Sequence, residues 1–117
     1  MKCRRCGWPV HNQIFCADGY EYSVASALSL LKASPRGAIT LPAGHIYDRL
    51  LDHRINFRHL DHVQIRYPVI AIPYEDSFMV IDGNHRAWKR LFRKLPVRAF
   101  LLTLEEVAQI RTKTETK

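Results

Sequence analysis

The sequence lacks any long apolar run. Within its 117 residues, no uninterrupted apolar segment approaches the roughly 20 residues that a helix needs to cross a bilayer. The opening stretch MKCRRCGW also lacks the apolar central region of a secretory signal peptide. We therefore predict no membrane partner and a cytoplasmic location.

Cysteines are few, and all three lie within the first sixteen residues. An odd number in a chain predicted to be cytoplasmic argues against a disulfide framework. Cys3, Cys6, His11 and Cys16 instead have the C-x2-C-x4-H-x4-C spacing of a retroviral-type zinc knuckle, in which three thiolates and one imidazole close a tetrahedral site. We predict a structural zinc ion here, with idle or buried thiols as the alternative. A knuckle could contact nucleic acid, where Trp8 could stack on a base, or only staple the N-terminus.

Acidic residues are absent between Asp82 and Glu105. That span carries six basic residues: Arg86, Lys89, Arg90, Arg93, Lys94 and Arg98. The whole chain has 18 Lys and Arg against 11 Asp and Glu, a net charge of +7. This excess favours anionic partners such as nucleotides, nucleic acid or acidic protein surfaces. A merely solvated helix face is the alternative for the basic stretch.

The pattern of apolar residues predicts one α/β (α+β) domain, with a small mixed sheet and flanking helices. Helices are predicted at residues 22–32, 43–54, 85–94 and 103–111, and strands at 38–42, 67–74, 78–82 and 96–102. Residues 55–66 are predicted as a loop or short helix. Ser23 is the predicted N-cap of the first helix, and Thr103 with Glu106 the capping box of the last.

The chain divides into four predicted segments. Residues 1–16 form the knuckle-like segment, and residues 17–37 a helix and turn that pack on the domain. Residues 38–111 form the main domain, and the polar residues 112–117 a frayed tail.

The stretch FMVIDGNHRAWKRLF gives an apolar strand that ends in Asp-Gly-Asn-His-Arg and is followed by a basic helix and a Pro-Val strand. This order resembles the ParB/sulfiredoxin superfamily over about residues 39–110. ParB-like domains carry Gly-Glu-Arg-Arg at this box and sulfiredoxins Gly-Cys-His-Arg, where this chain has Gly83, Asn84, His85 and Arg86. The resemblance implies a phosphate-handling fold. In this superfamily, that fold is used by CTP-binding ParB proteins, ATP-using sulfiredoxins, small-molecule kinases, nucleases and plasmid fertility-inhibition factors.

Two departures narrow what the resemblance implies. Asn84 stands where sulfiredoxins have their reactive cysteine, and an amide cannot replace a thiolate nucleophile. The chain also ends shortly after the last predicted helix, without the further domains of ParB. We therefore expect neither sulfinic-acid repair nor centromere binding in the ParB manner.

A helix that starts just after a glycine presents unpaired N–H groups to an anion. Arg86 can add a two-pronged contact to a phosphate, and His85 can donate a hydrogen bond or act as an acid or base. Asp82 would hold a metal ion or orient its neighbours. The predicted phosphate-binding residues are Gly83, Asn84, His85, Arg86, Lys89 and Arg90, and the predicted catalytic residues are Asp82 and His85. The alternative is an Asp cap followed by two solvated residues.

The leading hypothesis is therefore a protein that binds nucleotide or nucleic-acid phosphates, with ATP or another nucleotide and Mg²⁺ as candidate cofactors. Whether the protein is also an enzyme, such as a metal-dependent nucleotide hydrolase, nuclease or kinase-like enzyme, stays open at this point. The rival hypothesis is a non-enzymatic regulator of the fertility-inhibition type, which binds a protein or nucleic-acid partner through the basic helix. Asp48 and Asp52 are weaker candidates for a second catalytic acid.

Overall fold

The computed structural model describes residues 14–42, 57–60 and 63–113. Within these ranges lie a three-stranded and a four-stranded sheet, and helices pack against both faces of the larger sheet. The mixed α and β architecture predicted from the sequence is confirmed. The predicted helix at 43–54, with Asp48 and Asp52, lies outside the described residues, as do Cys3, Cys6 and His11.

The elements of the described ranges are short. The strands are β1 Ile14–Ala17, β2 Tyr20–Ser23, β3 Ile39–Leu41, β4 Val69–Tyr74, β5 Ser77–Asp82, β6 Val97–Leu101 and β7 Arg111–Lys113. The helices are α1 Val24–Ala33, α2 Phe57–Leu60, α3 Asn84–Phe92 and α4 Leu104–Ile110. No helix in these ranges is long and apolar enough to span a membrane.

The larger sheet has the strand order β3-β6-β4-β5. Strands β4 and β5 form the predicted antiparallel hairpin, and β6 runs parallel to β4. A parallel neighbour requires a crossover, and α3 lies in that connection between β5 and β6. Because Ile70 pairs with Asp82, the start of β4 lies beside the end of β5 and the start of α3.

Strand β4 is buried on both faces, which explains its unbroken apolar sequence. Ile70 and Ile72 belong to the core formed with α1, α4 and the smaller sheet. Val69 and Ala71 belong to the core on the opposite face, where Trp88 of α3 packs. The sheet therefore fixes the position of α3 relative to α1 on its other side.

Both predicted helix caps are present. The Ser23 hydroxyl accepts a hydrogen bond from the Ser26 N–H at 3.1 Å. At α4, Thr103 Oγ1 accepts from the Glu106 N–H at 3.1 Å, and Glu106 Oε1 accepts from the Thr103 N–H at 2.9 Å. Both caps satisfy main-chain donors that the helix itself leaves unpaired.

The smaller sheet was not foreseen. Strands β1 and β2 form a hairpin, and β7 pairs with β2 through Glu21 opposite Thr112 and Tyr20 opposite Lys113. The prediction of a frayed tail from residue 112 is therefore wrong for its first two residues. The polar, exposed sequence of β7 carries no strand signal, and its pairing with β2 spans some ninety residues of chain.

Candidate functional site

A cleft of about 440 Å³ opens where β4 begins and β5 ends, between α1 and the start of α3. Its volume lies in the range of about 300–1,000 Å³ typical of small-molecule sites. The apolar and aromatic lining residues are Leu28, Leu31, Pro35, Tyr67, Pro68, Ile70 and Phe100. The charged lining residues are Lys32, Arg36, Asp82 and Arg86. Two members of the predicted motif, Asp82 and Arg86, thus meet in one cleft.

Gly83 seats the start of α3 against the sheet. It is the N-cap of α3 and has a φ of 93°, in the left-handed region that glycine tolerates best. A Cβ at this position would lie 2.8 Å from Val69 Cγ1. The tight turn predicted at this glycine is present, and Val69 is the group that approaches it closely.

Arg86 is anchored in the cleft by main-chain oxygens. Its Nε donates to the carbonyl of Gln64 at 2.8 Å and its Nη1 to the carbonyl of Pro68 at 3.1 Å. Burial lowers the pKa of Arg86, and the nearby charge of Asp82 opposes that effect. A partly desolvated cation is stabilised by an anion placed beside it. Arg86 is therefore positioned, and electrostatically suited, to contact an anionic ligand.

Lys89 and Arg90, which are predicted to bind phosphate, both donate hydrogen bonds to main-chain oxygens. The Lys89 ammonium donates to the Val63 carbonyl at 3.2 Å. Arg90 donates to the carbonyls of Ile65 at 2.7 Å and Pro96 at 3.1 Å. Neither side chain lines the cleft. Together with Arg86 they form what we call the carbonyl clamp, three cations of α3 that hold the segment of residues 63–68.

The other polar residues of the motif, Asp82, Asn84 and His85, differ in whether they line the cleft. Asp82 lines the cleft, whereas Asn84 and His85 lie half-buried in the first turn of α3 and do not line it. The Oδ1 atom of Asn84 is buried and accepts no hydrogen bond from a described residue. Asp82 and Arg86 therefore line one cleft, which does not include the residues between them, and their predicted roles stay predictions.

Arg36 lines the cleft but has no hydrogen-bond donor left to offer. A guanidinium carries five N–H donors. Here they are directed to the carbonyls of Ser34 and Leu101 and to both carboxylate oxygens of Glu106, at 2.6 Å for Oε2. Arg36 therefore ties the end of α1 to the start of α4 and forms a wall of the cleft.

Sequence reasoning missed Lys32, Arg36 and Tyr67. Lys32 and Arg36 flank the turn after α1, and their basic character beside a helix end was the one available signal. Tyr67 was assigned to a buried strand, but it precedes β4 and its side chain is 51% exposed. Its ring lies 4.9 Å from the Arg66 guanidinium carbon and 5.8 Å from that of Arg86.

The predicted zinc site is represented in the described residues by Cys16 alone. Cys16 lies exposed on β1, opposite Glu21. Among the residues that the structure describes, no group of three or more His, Cys, Asp or Glu side chains is arranged to hold a metal ion. The knuckle stays a prediction, because its other three ligands fall outside those residues.

Comparisons with known proteins add no relative. No protein-family model, curated protein or solved structure matches this chain. The resemblance to the ParB/sulfiredoxin superfamily therefore stays a prediction, supported by the motif and by the order of elements around it.

Proposed function

We propose that this protein binds a nucleotide in the cleft, with the phosphates held by Arg86 and Lys32. The observation that carries the proposal is the anchored, half-buried cation Arg86, set beside Asp82 in a cleft whose walls are otherwise mainly apolar and aromatic. Ligand sites of this kind combine apolar walls with a few fixed polar groups. A phosphate satisfies the cations, and a ring and sugar fill the apolar part.

Asp82 fits this proposal if a metal ion accompanies the phosphates. A carboxylate alone would repel them, but Mg²⁺ in nucleotide sites is commonly held by one or two carboxylates together with phosphate oxygens. The charge in the cleft supports this view. Arg36 is neutralised by Glu106, which leaves Lys32 and Arg86 against Asp82 before a ligand binds.

The first test is a thermal-shift screen with ATP, ADP, CTP and GTP, each with and without Mg²⁺, followed by calorimetry. A ligand at a hundred times its Kd adds about 2.7 kcal/mol to the free energy of unfolding. We expect at least one nucleotide to raise the melting temperature, and Mg²⁺ to increase that effect. If none does so in either condition, the proposed function is wrong.

The second test replaces Arg86. A charge-assisted hydrogen bond is worth about 1.5–3 kcal/mol, so Arg86→Ala should weaken nucleotide affinity about tenfold or more. Arg86→Lys should recover only part, because it keeps the charge and loses the planar fork. Arg93→Ala is the matched control, because Arg93 is an exposed cation at the far end of the same helix. Equal affinities in calorimetry for Arg86→Ala and Arg93→Ala would remove Arg86 from the site.

Catalytic turnover of the bound nucleotide is a separate part of the proposal. His85 would act on a bound phosphate only if a ligand extends to the first turn of α3, where His85 lies. If it is an acid or base, His85→Ala lowers kcat more than it raises KM, whereas a residue that only donates to the ligand changes binding alone. Release of inorganic phosphate with Mg²⁺ present measures both constants.

The rival hypothesis, a non-enzymatic regulator, is favoured by one observation at the other end of α3. Phe92 is 53% exposed and Leu95 is 39% exposed, and the cations Arg93 and Lys94 lie between them. An apolar patch with basic neighbours suits an acidic protein partner. Such binding would be lost in a Phe92→Asp variant, which leaves every residue that lines the cleft in place, and this distinguishes partner binding from nucleotide binding in the cleft.

A further inference from the structure

We propose that Tyr67 is the platform on which the flat ring of the bound ligand stacks. This inference rests on the proposed function and deepens it, because it identifies the ligand as one with a heteroaromatic ring rather than a bare phosphate compound. It begins from an aromatic side chain that lines the cleft and yet is 51% exposed.

The surroundings of Tyr67 are suited to stacking. Arg66 Nη2 donates to the tyrosine hydroxyl at 3.0 Å, and the Arg66 and Arg86 guanidinium carbons lie 4.9 and 5.8 Å from the ring centre. These contacts fix the ring and place two guanidinium groups over it as cation–π partners. Aromatic side chains next to cations are the common platform for nucleobases, and stacking accepts any base because every base has a π-face.

The carbonyl clamp fixes the position of this platform. Tyr67 lies in the segment of residues 63–68, and Lys89 and Arg90 hold the carbonyls of Val63 and Ile65. Arg86 holds the same segment at Gln64 and Pro68 and also faces the cleft. Arg90 therefore holds the segment that carries Tyr67 without lining the cleft itself, which makes it a positioning residue for Tyr67.

The test compares ligands with and without a ring. Calorimetry would measure ATP, GTP, CTP and inorganic tripolyphosphate, each with Mg²⁺, on the full chain and on Tyr67→Ala and Tyr67→Phe. We expect Tyr67→Ala to weaken the nucleotides about fivefold to a hundredfold, the range for removal of a stacking aromatic, and to leave tripolyphosphate unchanged. Tyr67→Phe should keep most of the affinity, because it keeps the ring.

Equal weakening of nucleotides and tripolyphosphate by Tyr67→Ala, or no weakening of either, would overturn the platform and leave the proposed function standing. A parent protein that binds no nucleotide would overturn both. Because Tyr67 is half exposed, its replacement should leave the unfolding temperature of the unliganded protein nearly unchanged, so a loss of affinity is not a loss of fold.

The positioning role of Arg90 has its own measurement. Arg90→Ala should weaken the affinity for nucleotides and leave the affinity for tripolyphosphate unchanged. Arg90→Lys should recover part of the nucleotide affinity. In a Tyr67→Ala background, Arg90→Ala should have no further effect on nucleotide affinity, because the platform that it positions is already gone. Additive losses in the double variant would show that Arg90 does not act through Tyr67.

Discussion

Arg36 and Arg86 both line the cleft, yet they differ in what they can offer a ligand. The five donors of Arg36 are all directed to protein oxygens, and a carboxylate neutralises its charge. Arg86 is held by two main-chain oxygens, and burial lowers its pKa because its charge is only partly compensated. Arg36 thus has all its donors engaged by the fold, whereas Arg86 holds the main chain through two bonds and is the arginine that we propose contacts the ligand.

The Arg36–Glu106 pair should make stability depend on acid pH. The ion pair and the capping bonds of Thr103 lower the pKa of Glu106 from 4.5 to about 2. Because the folded pKa lies below the unfolded one, this contribution is complete above about pH 5 and is lost as the pH falls toward 2. We expect Glu106→Gln to cost about 1–2 kcal/mol at pH 7, discounted for partial exposure, and almost nothing at pH 2.

Urea unfolding of the parent and of Glu106→Gln at pH 7, 4 and 2 measures whether their free energies of unfolding become equal as the pH falls. Glu105→Gln is the matched control, since Glu105 lies exposed in the same first turn of α4. A Glu106→Gln variant that stays equally far below the parent at all three pH values would contradict the ion-pair assignment.

At the scale of elements, the junction between β5 and α3 depends on the missing side chain of Gly83. Its positive φ and the 2.8 Å approach of Val69 Cγ1 both disfavour a Cβ. We expect Gly83→Ala to lower the free energy of unfolding by about 2 kcal/mol or more, because the left-handed conformation alone costs an alanine about 1–2 kcal/mol. Chemical unfolding of the unliganded protein measures the loss.

Gly37→Ala is the comparison for this prediction, because an added Cβ there meets nothing within 4 Å. We expect it to change stability by less than about 1 kcal/mol. Similar losses for the two variants would show that the turn at Gly83 carries no special constraint.

The N-terminal segment gives the second prediction at this scale. From the spacing of Cys3, Cys6, His11 and Cys16, we expect about one zinc ion per chain in protein purified without chelators. Cys6→Ser should abolish the zinc, while the far-ultraviolet spectrum of the domain should persist, because the two described cores are built from other residues. Elemental analysis that finds no zinc in the parent would end the knuckle hypothesis.

At the scale of the whole molecule, the net charge of +7 overstates what is available to nucleic acid. Of the six basic residues between Asp82 and Glu105, the three of the carbonyl clamp donate to main-chain oxygens. Arg93, Lys94 and Arg98 are exposed, although Arg98 also donates one bond to the Ala38 carbonyl at 3.2 Å. Surface charge counted from a sequence therefore exceeds the charge that an extended anion can contact.

This count predicts a weak salt dependence. If single-stranded DNA binds through the three exposed cations, the logarithm of its affinity should fall with the logarithm of salt concentration at a slope of about −2, against about −4 for all six. Fluorescence anisotropy between 50 and 300 mM salt measures the slope. A slope near −4 would mean that the clamp opens to DNA, and no binding at low salt would end the nucleic-acid branch of the hypothesis.

The sequence by itself determined the four strands of the larger sheet and the helices α1, α3 and α4, because those signals are local. The apolar run of β4, the Ser23 cap and the Thr103 capping box each act within a few residues, and all three are present. The sequence also predicted the turn at Gly83, which lies between Asp82 and Arg86 at one end of the sheet. What these predictions share is that neighbours in sequence provide the interaction.

Only the tertiary structure decided which charged residues line the cleft and which of them are held by other parts of the chain. Arg36 meets Glu106 across seventy residues, and Lys89 and Arg90 meet carbonyls some twenty-five residues away. The pairing of β7 with β2 and the exposure of Tyr67 beside the cleft likewise arise from packing between distant segments. Sequence spacing does not show which distant residues come into contact. A basic residue that is available to a ligand therefore cannot be distinguished by sequence from one that is bound to its own main chain.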